Sequence, residues 1–145
     1  MSAFAFLNQP TDIQIDGILA LYRLAGWWQS SGTTTRDRDQ VRGIVGGSHC
    51  FLIATEDAHQ EAPIIGMGRS ISDGASDAYI QDVVVALAWR GRGVATQIVE
   101  RVVERLQKDA IEWIGLIAER NTKTLYQPLG FSSMADSVPM LYRKK

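Results

Sequence analysis

The sequence is poor in cysteine and proline, carries almost no net charge and has no long apolar run. Among its 145 residues are one cysteine and four prolines, and the formal net charge is -1. The lone Cys50 excludes an internal disulfide, and its apolar surroundings, Cys50–Ala54, predict a buried strand thiol. No apolar run approaches the ~20 residues of a membrane-spanning helix.

The charge balance also argues against whole classes of partner. With a sequence pI of about 6.1, the chain has no general attraction to nucleic acid or to an anionic membrane. The opening residues lack a basic segment followed by an apolar one, so the sequence predicts no secretory signal. We therefore expect a cytoplasmic protein with no nucleic-acid, membrane or metal partner, folded as a single domain over residues 1–145.

What the sequence does contain is a strand-turn-helix passage, Ile80–Ala95, reading IQDVVVALAWRGRGVA. The first turn of a helix has N–H groups without intrahelical partners and the positive end of the helix dipole, so it binds phosphate readily. Gly91 and Gly93 lack the Cβ atoms that would hold a diphosphate away, and Arg90 and Arg92 add positive charge. The pattern predicts a site for a phosphorylated carrier.

Two common glycine motifs do not fit this turn. A dinucleotide-binding fingerprint needs glycine or alanine three residues after Gly93, where Thr96 stands. A P-loop needs lysine and then serine or threonine after its last glycine, whereas Val94 and Ala95 follow Gly93. Both interpretations are therefore rejected.

The turn does resemble the pyrophosphate-binding signature of the GNAT acetyltransferases, [Q/R]-x-x-G-x-[G/A], through Arg90, Gly93 and Ala95. Leu87 stands where that family often has proline. Further along, 125–131 (LYQPLGF) resembles the family's second signature, Y-x-x-x-G-F. Two motifs in the family's order are more specific than either alone, and the resemblance covers roughly Cys50–Phe131.

The patterning and the resemblance together predict the fold. The resemblance implies an α/β (α+β) domain with a mixed, mainly antiparallel sheet, whose central parallel strands splay apart between flanking helices. Hydrophobic periodicity and turn residues predict helices over 12–24, 36–44 (capped by Thr35), 93–108 and 123–129, and strands over 3–7, 50–55, 64–70, 78–85, 113–118, 131–134 and 138–143. In the first helix, Ile13 is expected on the apolar face with Ile18, Leu19, Leu21 and Tyr22.

The resemblance implies acetyl-CoA as the co-substrate and assigns residues to it. The diphosphate would lie on the turn and helix start: Arg90, Gly91, Arg92, Gly93, Val94, Ala95 and Thr96. The strand residues Val83, Val84 and Val85 would present unpaired amides to the pantetheine and the thioester carbonyl. Many relatives carry asparagine where Glu119 stands, so the contact of Asn121, two residues later, is left open.

Two side chains are candidates for the chemistry. The resemblance places Tyr126 beside the cofactor sulfur as a proton donor to the departing thiolate, and the alternative is a buried tyrosine that only packs. Asp82 is a charge inside an apolar strand, which is costly unless it is paired or functional. It could accept the proton of the attacking amine, or it could be a structural carboxylate paired with Arg69. Glu119 is the weaker candidate base.

The acceptor is less well specified. The resemblance implies that the connection between the first two helices and the loop at 135–139 line its site. Trp27 and Trp28 could cover an amine, although one of two adjacent tryptophans often seals a core, and Asp73 could attract a cation. The predicted function is acetyl transfer to a primary amine, either a small molecule or a peptide lysine, with a homodimer left open. The alternative is a non-catalytic acyl-CoA sensor, which would need neither Tyr126 nor Asp82.

Overall fold

The computed structural model describes residues 2–144, arranged as one five-stranded sheet with helices on both faces. The strands are β1 (Ala3–Phe6), β2 (Cys50–Thr55), β3 (Ile64–Ser72), β4 (Asp77–Val85) and β5 (Trp113–Leu116). The helices are α1 (Asp12–Leu24), α2 (Thr35–Gly47), α3 (Val94–Lys108) and the short α4 (Lys123–Tyr126), with 3-10 turns at Leu87–Trp89 and Gln127–Leu129. None of the helices in residues 2–144 has the length and apolar character needed to cross a membrane.

The first two helices begin where side chains satisfy their free N–H groups. The Thr11 hydroxyl accepts from the Gln14 amide, and the Gln14 side chain accepts from the Thr11 N–H, which forms a capping box. Thr34 and Asp37 form the same arrangement at α2. The prediction of Thr35 as the α2 cap is therefore wrong by one residue, because the adjacent threonine has the aspartate three positions ahead that completes the box.

The strands lie in the order β1-β2-β3-β4-β5, and each pair is antiparallel except β4 with β5. The parallel pairing was predicted, because α3 carries the chain across the sheet between those two strands. Helix α3 covers one face, where its side chains Val94, Ile98, Val99, Val102 and Leu106 are buried. Helices α1 and α2 cover the other face. Ile13 was expected on the buried, apolar face of α1 but is 53% exposed, because it lies about 160° around the helix from the buried Ile15.

Helix α3 approaches β3 unusually closely, and glycine makes the approach feasible. A Cβ on Gly68 would lie 2.6 Å from Cγ2 of Ile98, and one on Gly66 would lie 2.9 Å from Cδ1 of the same residue. Sequence periodicity gives no sign of this requirement, because both glycines occupy ordinary strand positions.

The strands predicted over 131–134 and 138–143 are absent. Gly130 ends the preceding 3-10 turn with φ +98°, and residues 131–144 form neither helix nor strand. Strands were predicted there from the sequence, but a strand exists only where a neighbouring strand pairs with it. In this structure β5 pairs only with β4.

Strand β4 changes direction at Asp82, and this change shapes the sheet at its open end. The register between β3 and β4 shifts by one residue between Arg69 and Met67, and Asp82 adopts φ +57°. Pairing of β4 with β5 ends at Ile80 and Leu116. Beyond that point the two strands diverge, which confirms the predicted splay in the sheet.

Candidate active site

A cavity of about 830 Å³ opens where β4 and β5 diverge. Four parts of the chain meet there: the second half of β4, the glycine turn with the start of α3, the end of α1, and the segment from Glu119 to Tyr126. The residues that line it include Leu24, Ala25, Trp27, Asp82, Val83, Val84, Val85, Leu87, Arg90, Gly91, Ala95, Ile117, Glu119, Arg120, Thr122, Leu125 and Tyr126. The cavity therefore unites residues that the sequence predicted separately.

The last three residues of β4 line the cavity, and their side chains pack in or against the two cores. Val85 belongs to the core under α3, with Val83 packed against it, whereas Val84 belongs to the core under α1 and α2. No β5 residue is in register with β4 beyond Ile80. On its β5 side, this part of β4 therefore has no strand partner, and the contact predicted for the amides of Val83 and Val85 stays a prediction.

The glycine turn has the conformation that its sequence requires. Gly91 and Gly93 have φ of +75° and +78°, values that side chains disfavour. Gly93 caps α3 without a side-chain hydrogen bond, and the first turn of α3 contains no acidic residue. The free N–H groups and the positive dipole end are consequently not satisfied by the protein's own carboxylates.

The two arginines of this turn are held differently. Nε of Arg90 donates to the carbonyl of Val85 over 3.0 Å, tying the turn to the end of β4, while the guanidinium of Arg92 lies 4.9 Å from the Trp89 ring centre. Of the predicted cofactor-binding residues here, Arg90, Gly91 and Ala95 line the cavity; Arg92, Gly93, Val94 and Thr96 do not, and Val94 is buried in the core.

Tyr126 lies in the cavity wall with a buried ring and an available hydroxyl. The ring is 8% exposed and packs edge-on against Phe131, with 5.9 Å between centres. Its hydroxyl has no hydrogen bond to any residue within 2–144, and it is not sealed from solvent either. Burial raises the pKa of the Tyr126 phenol, so the neutral, proton-bearing form predominates.

Asp82 is held by two donors. Its Oδ2 accepts from Nε of Arg69 at 2.6 Å and from the Tyr22 hydroxyl at 2.8 Å, and Nη1 of Arg69 also reaches Oγ of Ser48 at 3.3 Å. Both charged side chains of the pair are largely buried. Burial raises the pKa of Tyr22 most, and the negative charge of Asp82 raises it further, so the Tyr22 phenol stays protonated. The pairing with Arg69 is the one that the structural interpretation of Asp82 required.

The adjacent tryptophans have separate positions. Trp27 lines the cavity, with the guanidinium of Arg120 5.9 Å from its ring centre. Trp28 packs against the core under α1 and α2, and its indole N–H donates to Asp37 at 3.1 Å. Of the two tryptophans, Trp27 therefore borders the cavity and Trp28 belongs to the core.

Two other predicted residues lie outside the cavity lining. Asp73 sits in the turn between β3 and β4, where it accepts hydrogen bonds from Ser76 and from the amide of Ala75. These hydrogen bonds hold the pKa of Asp73 well below its usual range, and the bond from the Ser76 hydroxyl lowers it most. Asn121 is in the left-handed region with φ +62°, and its neighbours Arg120 and Thr122, not Asn121 itself, line the cavity.

Sequence reasoning missed Tyr22 and Arg120. Tyr22 was assigned to the apolar face of α1 for its ring, yet a buried phenol needs a hydrogen-bond partner, and that need was the available signal. Arg120 gave no signal, because its position depends on a φ of +54° in the loop after β5. Within residues 2–144 no three His, Cys, Asp or Glu side chains are grouped to bind a metal ion.

The sequence profile described as Acetyltransferase (GNAT) domain matches residues 35–139. Among curated proteins, the chain is 25% identical over 122 residues to the uncharacterized N-acetyltransferase ycf52 of Pyropia yezoensis, covering 84% of this chain and 70% of that protein. It is 35% identical over 101 residues to the chloroplastic GCN5-related N-acetyltransferase 1 of Arabidopsis thaliana, covering 70% of this chain but only 51% of that protein. With the chloroplastic serotonin N-acetyltransferase 2 of Oryza sativa, identity is 25% over 135 residues, covering 93% of this chain and 64% of that protein.

Solved structures share the fold at low sequence identity. A Trypanosoma brucei acetyltransferase superposes with a TM-score of 0.76 at 14% identity, covering 98% of this chain and all (100%) of the other. A Clostridium acetobutylicum acetyltransferase, solved with acetyl-CoA, superposes with a TM-score of 0.68 at 18% identity, covering 97% and 96% of the two chains.

Proposed function

The chain belongs to the GNAT acetyltransferase family and is an acyltransferase, and we propose that it moves an acetyl group from acetyl-CoA to a primary amine by direct attack in a ternary complex. One observation carries this proposal. A single cavity joins the glycine turn and Ala95 in the first turn of α3, the half of β4 that β5 leaves unpaired, and Tyr126. A binding module would need the first two features but has no use for a proton donor beside them.

The residues present fit acetyl-CoA as the co-substrate. The uncapped first turn of α3 and the glycines before it suit a diphosphate, which Arg90 and Arg92 would help to neutralise. From there the cavity leads along β4, where the amides of Val83 and Val85 would bond the pantetheine and the thioester carbonyl. The co-substrate supplies the activated acetyl group.

The transfer needs three contributions from the chain: stabilisation of the carbonyl oxygen, a proton donor for the departing thiolate and an acceptor for the amine proton. The amine nitrogen attacks the thioester carbon, a C–N bond forms, and the C–S bond breaks. Backbone amides of β4 would stabilise the negative charge that develops on the carbonyl oxygen. The Tyr126 hydroxyl would donate a proton to the departing thiolate, and its burial beside the cavity keeps that proton available.

The attacking amine must first lose a proton, and Asp82 is the proposed acceptor. Oδ2 of Asp82 is occupied by Arg69 and Tyr22, whereas Oδ1 has no hydrogen bond within residues 2–144. Asp82 is one of the residues that line the cavity, and Oδ1 would receive the proton directly or through water. Its two donors would then fix the orientation of the group.

The proposed acceptor is a small arylalkylamine, a polyamine or a peptide lysine. Trp27 and Leu24 supply an apolar wall, and Glu119 supplies a negative charge that would attract an ammonium group. One relative is named for serotonin, an arylalkylamine, which places that class first in the test. The Arabidopsis and rice relatives are named chloroplastic, so the predicted cytoplasmic location needs a separate localisation experiment.

The function is tested by incubating the chain with acetyl-CoA and a panel of amines and measuring released free thiol. The panel should include tryptamine, spermidine and a lysine peptide, with a no-amine reaction as the control for hydrolysis. We expect amine-dependent thiol release, and acetylated product by mass spectrometry. Tight acetyl-CoA binding without transfer to any amine class would instead support the sensor.

A further inference from the structure

Arg120 brings to the cavity a guanidinium group that the fold itself does not use. Two arginines of residues 2–144, Arg90 and Arg120, line the cavity. Arg90 lies beside the glycine turn, where its Nε donates to the carbonyl of Val85, and the proposed diphosphate site accounts for its charge. Arg120 follows β5, and its guanidinium contacts the ring of Trp27 without a hydrogen bond or an ion pair to any residue within 2–144. Its five N–H donors are therefore available to a ligand.

The Arg120 guanidinium lies beside the end of α1, away from the glycine turn that precedes α3. Its central carbon is 5.9 Å from the Trp27 ring centre, and a Cβ on Gly26 would lie 3.9 Å from its Nη2. The Trp27 ring is in turn 6.4 Å from the ring of Tyr22, whose hydroxyl donates to Asp82. Two aromatic rings thus connect this guanidinium to the candidate base.

The loop that carries Arg120 has an unusual backbone. Arg120 and Asn121 have φ of +54° and +62°, in the left-handed region that residues other than glycine disfavour. The amide and the hydroxyl of Thr122 both donate to the carbonyl of Glu119, which closes the turn. This turn places Glu119 and Arg120, of opposite charge, side by side in the lining of the cavity.

We propose that Arg120 binds a carboxylate of the acceptor, so that the acceptor is an amine that also carries an anionic group. This inference rests on the proposed acetyl transfer and narrows its acceptor. A guanidinium presents paired N–H groups in one plane, which match the two oxygens of a carboxylate. Asp82 and Glu119 supply negative charge for the ammonium end, and Arg120 supplies positive charge for the other end. The lining therefore complements a zwitterion.

The same charges rank the amine classes. A polyamine carries only positive groups, one of which would meet Arg120 with like charge. A simple arylalkylamine has no group for this guanidinium to bind. An aromatic amino acid, or a lysine whose own carboxylate is free, satisfies both ends, and Trp27 can contact the apolar part between them.

Pairs of acceptors that differ only in the carboxylate give the test. Tryptophan is compared with tryptamine, and Nα-acetyl-lysine with its carboxamide, by measuring kcat/KM for thiol release with acetyl-CoA. The preference of the wild-type protein for the carboxylate member should fall by about 10- to 100-fold in Arg120→Gln, mainly through KM. Because each ratio is compared between two proteins, differences in amine basicity cancel.

Two further variants separate binding from general effects. Arg120→Lys keeps the charge but loses the planar fork, so it should restore part of the preference. Arg101→Gln is the matched control, because it removes another exposed arginine that lies over an aromatic ring, 4.3 Å from the centre of Phe4, outside the cavity lining. It should keep the wild-type ratio. Acetyl-CoA affinity, measured by calorimetry, should be the same in all four proteins.

The outcomes distinguish this inference from the function on which it rests. Thiol release with an unchanged ratio in Arg120→Gln would overturn the inference and leave the transfer standing. No release from the wild-type protein with any amine would contradict the proposed function; calorimetric titration of Nα-acetyl-lysine and its carboxamide into the protein saturated with CoA then tests Arg120 directly, and equal affinities would overturn the carboxylate site. A preference for O-phosphoethanolamine over ethanolamine that depends on Arg120, without one for the carboxylates, would replace the carboxylate by a phosphate. A loss of acetyl-CoA affinity in Arg120→Gln with an unchanged acceptor ratio would assign Arg120 to the co-substrate and overturn the proposal.

Discussion

The hydroxyl of Tyr22 on α1 donates a hydrogen bond of 2.8 Å to Oδ2 of Asp82 on β4, joining residues 60 positions apart in the sequence. Nε of Arg69 on β3 donates to the same oxygen at 2.6 Å. Three elements are thus fastened at the point where β4 diverges from β5. The Asp82 carboxylate therefore has two possible roles, because it links these three elements and is also the candidate base.

The Asp82→Asn variant should separate the structural role of this carboxylate from its proposed role as a base. The amide keeps the size of the side chain but removes the charge paired with Arg69, so the free energy of unfolding should fall by about 1–3 kcal/mol. If Asp82 also accepts the amine proton, the rate should fall most at neutral pH and least at high pH, where free amine is already present. Thermal melts and pH-rate curves measure the two effects.

Tyr22→Phe is the matched control for that variant. It removes one hydrogen bond to Asp82 but leaves the carboxylate intact, so it should lower stability without changing the shape of the pH-rate curve. An Asp82→Asn protein with wild-type stability and wild-type rates at every pH would exclude both roles.

Tyr126→Phe should separate chemistry from binding. The ring and its contact with Phe131 remain, so acetyl-CoA affinity should hardly change, whereas turnover should fall by ~10 to 1000-fold if the phenol is the general acid. Calorimetry and steady-state rates at saturating amine give the two quantities. Tyr142→Phe, which removes an exposed hydroxyl near the C-terminus, is the control. Unchanged turnover would leave Tyr126 a packing role.

Gly93→Asp should weaken co-substrate binding in a folded protein. The substitution puts a negative charge at the N-terminus of α3, where a diphosphate would bind, so acetyl-CoA affinity should fall by about 100-fold or more, which is ~3 kcal/mol. Gly93→Asn is the control, because asparagine has nearly the same shape, tolerates the φ of +78° and carries no charge. Equal affinity for the two variants, measured by calorimetry, would contradict an electrostatic role of this turn.

Alkaline pH should weaken the fold through Tyr22. Burial is the main cause that raises the pKa of Tyr22 above the ordinary tyrosine value of 10.0. Below pH 10 both the native and the unfolded chain keep the proton, so the contribution is constant; above pH 10 only the unfolded chain loses it, and stability falls by about 1.4 kcal/mol per pH unit for this group. Denaturant melts between pH 9 and 11 should show a shallower decline for Tyr22→Phe. An identical decline in the variant would contradict this origin.

Gly68→Ala should destabilise the contact between β3 and α3. The new methyl group would lie 2.6 Å from Cγ2 of Ile98, so the free energy of unfolding should fall by about 1–3 kcal/mol. Gly43→Ala in α2 meets open space and should leave stability unchanged or raise it by ~0.5–1 kcal/mol. Urea denaturation of both variants makes the comparison. A neutral Gly68→Ala would mean that the helix moves away at little cost.

The sequence predicted the elements whose signals are local. Capping residues and periodicity locate α1 and α3, and the parallel pairing of β4 with β5 follows from the α3 crossover. The final strands were wrongly predicted, because apolar residues specify a strand only when a partner edge is supplied. The α2 start was missed by one residue, since two adjacent threonines compete for the same role.

The residues of the candidate site likewise divide into those that a local sequence signal predicts and those that it does not. The glycine turn and Tyr126 belong to short motifs, and the structure brings them to one cavity. Arg120 beside Trp27, and Tyr22 beside Asp82, were not predictable, because these contacts join residues far apart in the sequence through the packing of α1. Trp27 and Trp28 diverge for a related reason: adjacent side chains in a loop point in different directions, and no residue in the pair itself indicates which one faces inward.

The irregularity at Asp82 fixes the number of residues that β4 can hold. Before it, Ala78 and Ile80 face α3; after it, Val83 and Val85 face α3, while Val84 faces the opposite helices. Deleting any one residue between Ile80 and Val84 would remove this offset and invert every later side chain of the strand. The glycine turn would then be displaced relative to the sheet. Variation in chain length among functional homologues should therefore fall in the turn around Asp73, where the backbone is exposed, and never within this half of the strand.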